Sequence, residues 1–239
     1  MFTRIQTRNF RCLKAVDQRL GPFRALVGPN ASGKTTFLDV IGFLSNLIVN
    51  RGDVIETVHQ RSSDFEKLTW MGEGNAFQLA VEAIIPPPIK AKMAEDKQHY
   101  SHVRYELEIG TEAESGTIGI EHETLWLTTS NEQGNGSQRE FFPMVVEATS
   151  DLLLRPGKNR KTAITKKPGG NDNYYTEGRK SYMPSFKLGR SKSALANLPA
   201  DAESFPVSSW FRNLLEEGVK TFMLNSQEIR QPSAPGLAR

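Results

Sequence analysis

Apolar residues along this chain keep two rhythms. Phe2 to Thr7 alternates as a strand does, Ala15 to Leu20 gives another, and Phe23-Arg24-Ala25-Leu26-Val27 is a short apolar run of strand type that stops at Gly28. Phe37, Val40, Ile41, Leu44, Leu47 and Ile48 then recur at helical spacing, which predicts a helix from Thr35 to about Asn50 with Arg51-Gly52 as its stop. Period two returns in Phe77 to Ile85, Val103 to Ile109, Thr117 to Thr128 and Phe141 to Val146, separated by Pro86-Pro87-Pro88 and other turn material. That series predicts an antiparallel sheet and not strands alternating with crossover helices. Further on, Ser191 to Leu198 reads as a short helix and Ser208 to Gly218 as a firmer one, with Ser208 or Ser209 as N-cap. Val219 to Leu224 reads as a last strand.

Between the third strand and the first helix lies Gly28-Pro29-Asn30-Ala31-Ser32-Gly33-Lys34-Thr35-Thr36, which fits G-x-x-x-x-G-K-[ST]. Gly28 and Gly33 let the backbone fold tightly, so that successive N–H groups converge on one anion. Lys34 supplies a point charge for β- and γ-phosphates, and the Thr35 hydroxyl can ligate Mg²⁺. The following helix aims the positive end of its dipole at the same place. Strand, glycine loop and helix in this order predict a nucleoside triphosphate site.

Composition narrows the class further. The 239 residues suit one large domain or a domain with an insertion, and 24% charged residues suit a water-soluble chain. No apolar run approaches the ~18 residues that span a bilayer, and Met1 to Gln6 has no signal-like apolar region. Cys12 is the single cysteine, which fits a reducing interior, so the expected location is cytoplasmic without a membrane partner. The net charge of +3 is unevenly spread: residues 155–192 carry eleven Lys or Arg against Asp172 and Glu177, net +9, leaving −6 for the rest. This basic stretch reads either as a solvated, mobile loop, since Lys166 to Asn173 is rich in Gly, Asn and Pro, or as a contact for a nucleic-acid backbone. The two readings are compatible.

A second acidic motif for Mg²⁺ and water is not evident. Glu147, after Met144-Val145-Val146, and Glu82, after Leu79-Ala80-Val81, imitate it, and both read as ordinary strand residues. His99-x-x-His102 has metal-ligand spacing without a third ligand and reads as two solvated histidines.

The segments Ile5-Gln6-Thr7-Arg8-Asn9-Phe10-Arg11-Cys12, Leu20-Gly21-Pro22 and Ala25 to Asp39 together closely resemble the N-terminus of RecF/SMC-like ATPases, ABC-type enzymes that include OLD-family nucleases and many bacterial defence ATPases. The resemblance is strong over about the first fifty residues. It implies an α/β fold, a P-loop NTPase of ABC-ATPase type: the N-terminal lobe with an antiparallel β-rich region, lacking the C-terminal half of the head. Its parts are a strand, loop and helix core at 1–52, a β-rich region at 53–150, a basic region at 151–192 and a helix and strand at 193–239. It implies ATP and Mg²⁺ as cofactors, held by Arg11, Gly28, Asn30, Ala31, Ser32, Gly33, Lys34, Thr35 and Thr36. Lys34 is the catalytic lysine, and Thr35 with a Q-loop glutamine, Gln227 or Gln231, serves the metal. The implied partners are ATP, a second ATPase head or a complementing C-terminal half, and DNA. The isolated chain is expected to bind ATP without efficient hydrolysis, in a protein of DNA repair or anti-phage defence. The alternative is a non-catalytic module that binds nucleic acid or a partner through 155–192.

Overall fold

The computed structural model describes residues 1–112, 114–129, 152–180 and 182–222. Eight antiparallel strands form one sheet in the order β2-β1-β3-β4-β5-β6-β7-β8. They are β1 (Phe2–Phe10), β2 (Leu13–Arg19), β3 (Ala76–Ile84), β4 (His102–Thr111), β5 (Ile118–Thr128), β6 (Arg160–Lys166), β7 (Asp172–Tyr174) and β8 (Ser185–Phe186). The helices are α1 (Lys34–Val49), α2 (Val54–His59), the single turn α3 (Pro87–Lys90) and α4 (Pro206–Glu217).

The alternation read in β3 and β4 decides which face is apolar. Phe77, Leu79, Val81 and Ala83 lie beside Ile109, Leu107, Tyr105 and Val103 in register, and all are buried in one core. Helix α1 joins that core with Phe37, Val40, Phe43, Leu44 and Leu47, and α4 with Val207, Phe211 and Leu215. Phe77 is the hub: its ring centroid lies 5.0 Å from Phe10, 5.6 Å from Phe43 and 5.7 Å from Phe65. The first hairpin, α1 and the turn before β3 are thereby locked together by edge and stacked contacts.

The opposite face carries charge, and it is also covered. Arg104, 2% exposed, donates through Nε to Glu106 Oε1 at 2.5 Å, through Nη1 to Glu82 Oε1 at 2.7 Å and to Gln6, and through Nη2 to the Leu152 carbonyl at 2.9 Å. Glu106 Oε2 accepts from Trp126 Nε1 at 2.9 Å and from the Leu154 N–H at 3.1 Å. Residues 152–154 lie over this row, so every ion in it has a partner, as burial demands.

Several expectations change. Among the described residues Ala25 to Val27 joins no strand ladder; Leu26 packs on the core, while Phe23 is 86% and Val27 89% exposed. A run of strand type becomes a strand only beside a partner strand, and none of the eight borders it. Ser191 to Leu198 forms turns around Tyr174, whose hydroxyl donates to the Ala194 carbonyl at 3.0 Å, and not a helix. Helix α4 starts earlier than read, with Phe205 at its N-cap and Ser208 inside the first turn. Residues 219–222 lie outside any strand. The basic stretch is loop only in part: Lys167 to Asn171 lies outside any strand, whereas β6, β7 and β8 extend the sheet through the stretch. The Phe141 to Val146 strand lies outside the described residues, as does Glu147.

Candidate nucleotide site

Gly33 is the N-cap of α1, at φ 86, and no side chain caps the helix there. The first turn holds no acidic residue. The helix therefore presents its positive end and its leading N–H groups uncapped, which suits an anion. Gly28, Pro29, Asn30, Ala31 and Ser32 form the exposed loop in front of it, with Ala31 left-handed at φ 63. Glycine is required at 33 on two counts. Its φ strains any side chain, and a Cβ would stand 3.0 Å from Leu13 and 3.4 Å from Cys12.

Lys34 Nζ curls into this loop, donating to the carbonyls of Gly28 at 2.8 Å and Pro29 at 2.6 Å and to Ser32 Oγ at 3.3 Å. A phosphate oxygen is the stronger acceptor for an ammonium, so an entering polyphosphate competes with these carbonyls for the lysine. Thr35 is exposed in the first turn, and Thr36 Oγ1 accepts from the Cys12 thiol at 3.3 Å. That contact seats the tip of the β1–β2 hairpin on the loop. Among the described residues no three His, Cys, Asp or Glu side chains cluster to hold a metal. A Mg²⁺ here would depend on Thr35 and on the phosphates themselves, the usual manner for this ion.

The hairpin is held with unusual backbone geometry. Asn9 and Arg11 have φ values of 57 and 53. Asn9 Oδ1 accepts from the Trp70 N–H at 3.1 Å, and its Nδ2 donates to the carbonyls of Glu73 at 3.0 Å and Ala76 at 2.6 Å. The Arg11 N–H donates to the Leu68 carbonyl at 2.9 Å. The Arg11 side chain, 42% exposed, places Nη1 3.4 Å from Asp39 Oδ2. Asp39 in turn accepts from Arg61 Nη2 at 2.7 Å and Nε at 3.0 Å. Asp39 and Arg61 escaped the sequence reading. Asp39 stands four residues after Thr35, on the same helix face, which was the available signal; nothing local marks Arg61.

The structure thus brings Arg11 and residues 28–36 to one end of the sheet. Gln227 and Gln231 lie outside the described residues. Glu82 sits in ion pairs with Arg4 at 3.4 Å and Arg104 at 2.7 Å, a sheet residue far in role from any phosphate. His102 begins β4, with Nδ1 2.9 Å from Ser101 Oγ, and His99 lies against the Tyr100 ring, so the pair shares no helix face.

Of the eleven basic residues, four are tied to acids. Lys166 pairs with Asp172 at 2.6 Å inside the protein, Lys192 with Asp53 at 3.0 Å, Arg190 with Glu112 and Glu121, and Lys180 with Glu203. Arg155, Lys158, Lys167, Arg179 and Lys187 are exposed and have no acidic partner among the described residues.

Comparison with known proteins finds similarity over the segment that holds the loop. Residues 23–136, just under half of the chain, match the family described as an AAA domain, putative AbiEii toxin, type IV toxin–antitoxin system. An OLD nuclease of Thermus scotoductus is 56% identical over 41 residues, which are 17% of this chain and 8% of that protein. A solved structure of an SMC ATPase, studied for ATP-driven dimerization and DNA-stimulated activation, aligns at 17% identity with a TM-score of 0.36, covering 50% of this chain and 67% of that one. The phosphate loop thus lies in a segment similar to an AAA domain and, over 41 residues, to an OLD nuclease, of whose length this chain spans only a small part.

Proposed function

We propose that this chain is the ATP-binding lobe of a RecF/SMC-like ATPase that acts on DNA in repair or anti-phage defence, with Mg²⁺ bound through Thr35. The observation that carries this reading is the uncapped N-terminus of α1 behind Gly33, with Lys34 already inside the loop. The description of the matching family as a putative toxin of a toxin–antitoxin system and the relative's name as a nuclease support the defence and nucleic-acid parts. Hydrolysis falls to a complementing half or a second head that brings the water-orienting acid. Support for a complementing surface comes from Phe23 to Val27, strand-like in sequence, paired with no strand among the described residues, and with Phe23 and Val27 exposed at its two ends. The test is thermal stability with Mg-ATP: the wild type is stabilised, as binding to the folded state alone requires. Lys34→Ala is not. Equal stabilisation of that variant overturns the reading.

A second reading has its own observation. Five exposed cations with no acidic partner among the described residues fall within 155–187, and such a surplus of positive charge suits a nucleic-acid backbone without any catalytic role. Five phosphate contacts give a log–log salt slope of about −4 to −5 on duplex DNA. A slope near zero, or no binding at low salt, removes this reading.

A further inference from the structure

We infer that Asp39, clamped by Arg61, is a positioning residue that sets the Arg11 guanidinium over the nucleotide phosphates. This rests on the ATP-binding role proposed above. The clamp is rigid at its base. Arg61 reaches Asp39 with Nε at 3.1 and 3.0 Å from the two carboxylate oxygens and with Nη2 at 2.7 Å. Its Nη1 donates to the Thr57 carbonyl at 3.2 Å, and its guanidinium lies 4.8 Å from the Phe43 ring centroid. Nearly buried, with a bidentate hold on Asp39, Arg61 leaves that carboxylate a single orientation.

What Asp39 holds at its outer side is different in kind. Arg11 touches it through one nitrogen at 3.4 Å, is substantially exposed, and has no other side-chain partner among the described residues. As a source of stability such a contact counts for little. Its backbone argues for another role. Arg11 occupies the left-handed region, at a cost of about 1–2 kcal/mol, beside Asn9, a residue type that adopts it readily. The surrounding structure over-determines them through the bonds from Asn9 to Trp70, Glu73 and Ala76 and from Arg11 to Leu68. The tight β1–β2 turn sets this backbone, and it fixes where the Arg11 side chain starts.

The aim is readable. Asp39 lies one helical turn beyond Thr35 on the same face of α1, and Cys12, the neighbour of Arg11, touches Thr36. Arg11 therefore stands beside the turn that carries Thr35, with most of its planar donor fork unused. That fork matches a phosphate in two-point geometry, which a lysine ammonium cannot reproduce. Asp39 fixes one edge of the guanidinium and leaves the other for the ligand.

The test is a double-variant cycle on Mg-ATP affinity, measured by calorimetry with the binding stoichiometry reporting the folded fraction. Arg11→Ala is expected to weaken ATP about tenfold, the weight of a charged hydrogen-bond contact. Asp39→Asn is expected to lose nearly as much, and the double variant no more than Arg11→Ala alone. If the losses multiply, or if Asp39→Asn binds as the wild type does, the inference is overturned. A merely structural Asp39 lowers the folded fraction and leaves the affinity per folded molecule unchanged. Should Asp39→Asn fail to fold, Arg61→Lys, which keeps the charge and loses the fork, replaces it in the cycle with the same two outcomes. Lys34→Ala run alongside separates the levels. If it abolishes binding while Arg11→Ala has no effect, this inference alone fails; if the wild type binds no ATP, the nucleotide role fails and takes the inference with it.

Discussion

Glu177 caps a helix that begins some thirty residues after it: its carboxylate accepts from the Ser208 N–H at 3.0 and 3.1 Å and from the Ser208 hydroxyl, and from the Val207 N–H at 2.5 Å. It thereby replaces the local cap that α4 lacks, and an anion at that end also meets the helix dipole. Complete burial works against it and pushes its carboxyl up to about 7, although the α4 hydrogen bonds and nearby Lys97 pull the other way. Glu123, also fully buried, is raised by the same desolvation despite accepting from Tyr105, Ser193, Ala194 and Leu195.

Stability should therefore fall as pH rises through neutrality. A carboxyl whose folded pKa lies above its unfolded value binds its proton more tightly in the folded state. Its contribution is complete below about pH 4.5 and is lost as pH climbs through about 7. For Glu177 the full span is about 3 kcal/mol. Urea midpoints between pH 5 and 8 should decline, and Glu177→Gln should decline less steeply. A flat wild-type profile, or an unaltered slope in the variant, contradicts the assignment.

Replacing Gly33 by alanine should abolish ATP binding and also destabilise the apo protein. The new methyl meets Leu13 at 3.0 Å from a backbone at φ 86. The expected loss is about 1–3 kcal/mol, read from thermal unfolding. An alanine variant as stable as the wild type would show that the loop relaxes freely.

Arg104→Ala should cost about 3–5 kcal/mol, because it strands Glu106 beneath residues 152–154 with no countercharge and leaves Glu82 only the longer pair with Arg4. Lys180→Ala is the control. Its bridge to Glu203 lies wholly in water, and the urea midpoint should not move.

Phe77→Ala should cost about 3–5 kcal/mol, since it empties the hub shared by Phe10, Phe43 and Phe65. The hub joins the hairpin to α1, so the same variant should weaken ATP binding even where it remains folded. Intact affinity would mean that the Cys12–Thr36 and Arg11–Asp39 contacts suffice to hold the hairpin on the loop.

The parts of this protein that a linear reading reaches are those whose reason lies within a few residues. Phe77 to Ile85 and Val103 to Ile109 alternate because one side faces the core, and they are strands to within one or two residues. Lys34 to Val49 is a helix because its apolar positions share one face. What stayed hidden depends on distant partners. The basic stretch read as a loop because its charges and glycines are local, whereas β6 exists by pairing with β5, and Lys166 is buried by Asp172. Ser208 looked like a cap because Glu177 is far away in sequence. Ala25 to Val27 shows the converse, a strand-like sequence that pairs with no strand among the described residues. At the site, residues 28–36 and Arg11 were legible, and the Asp39–Arg61 clamp was not, since a helix and a later turn supply its halves.

The central claim is that the loop at Gly28 to Thr36 binds a nucleoside triphosphate, and calorimetric titration of the chain with Mg-ATP tests it most directly. The account predicts saturable binding near one ATP per chain that Lys34→Ala abolishes. No heat of binding in the wild type, or the same affinity in Lys34→Ala, would contradict it.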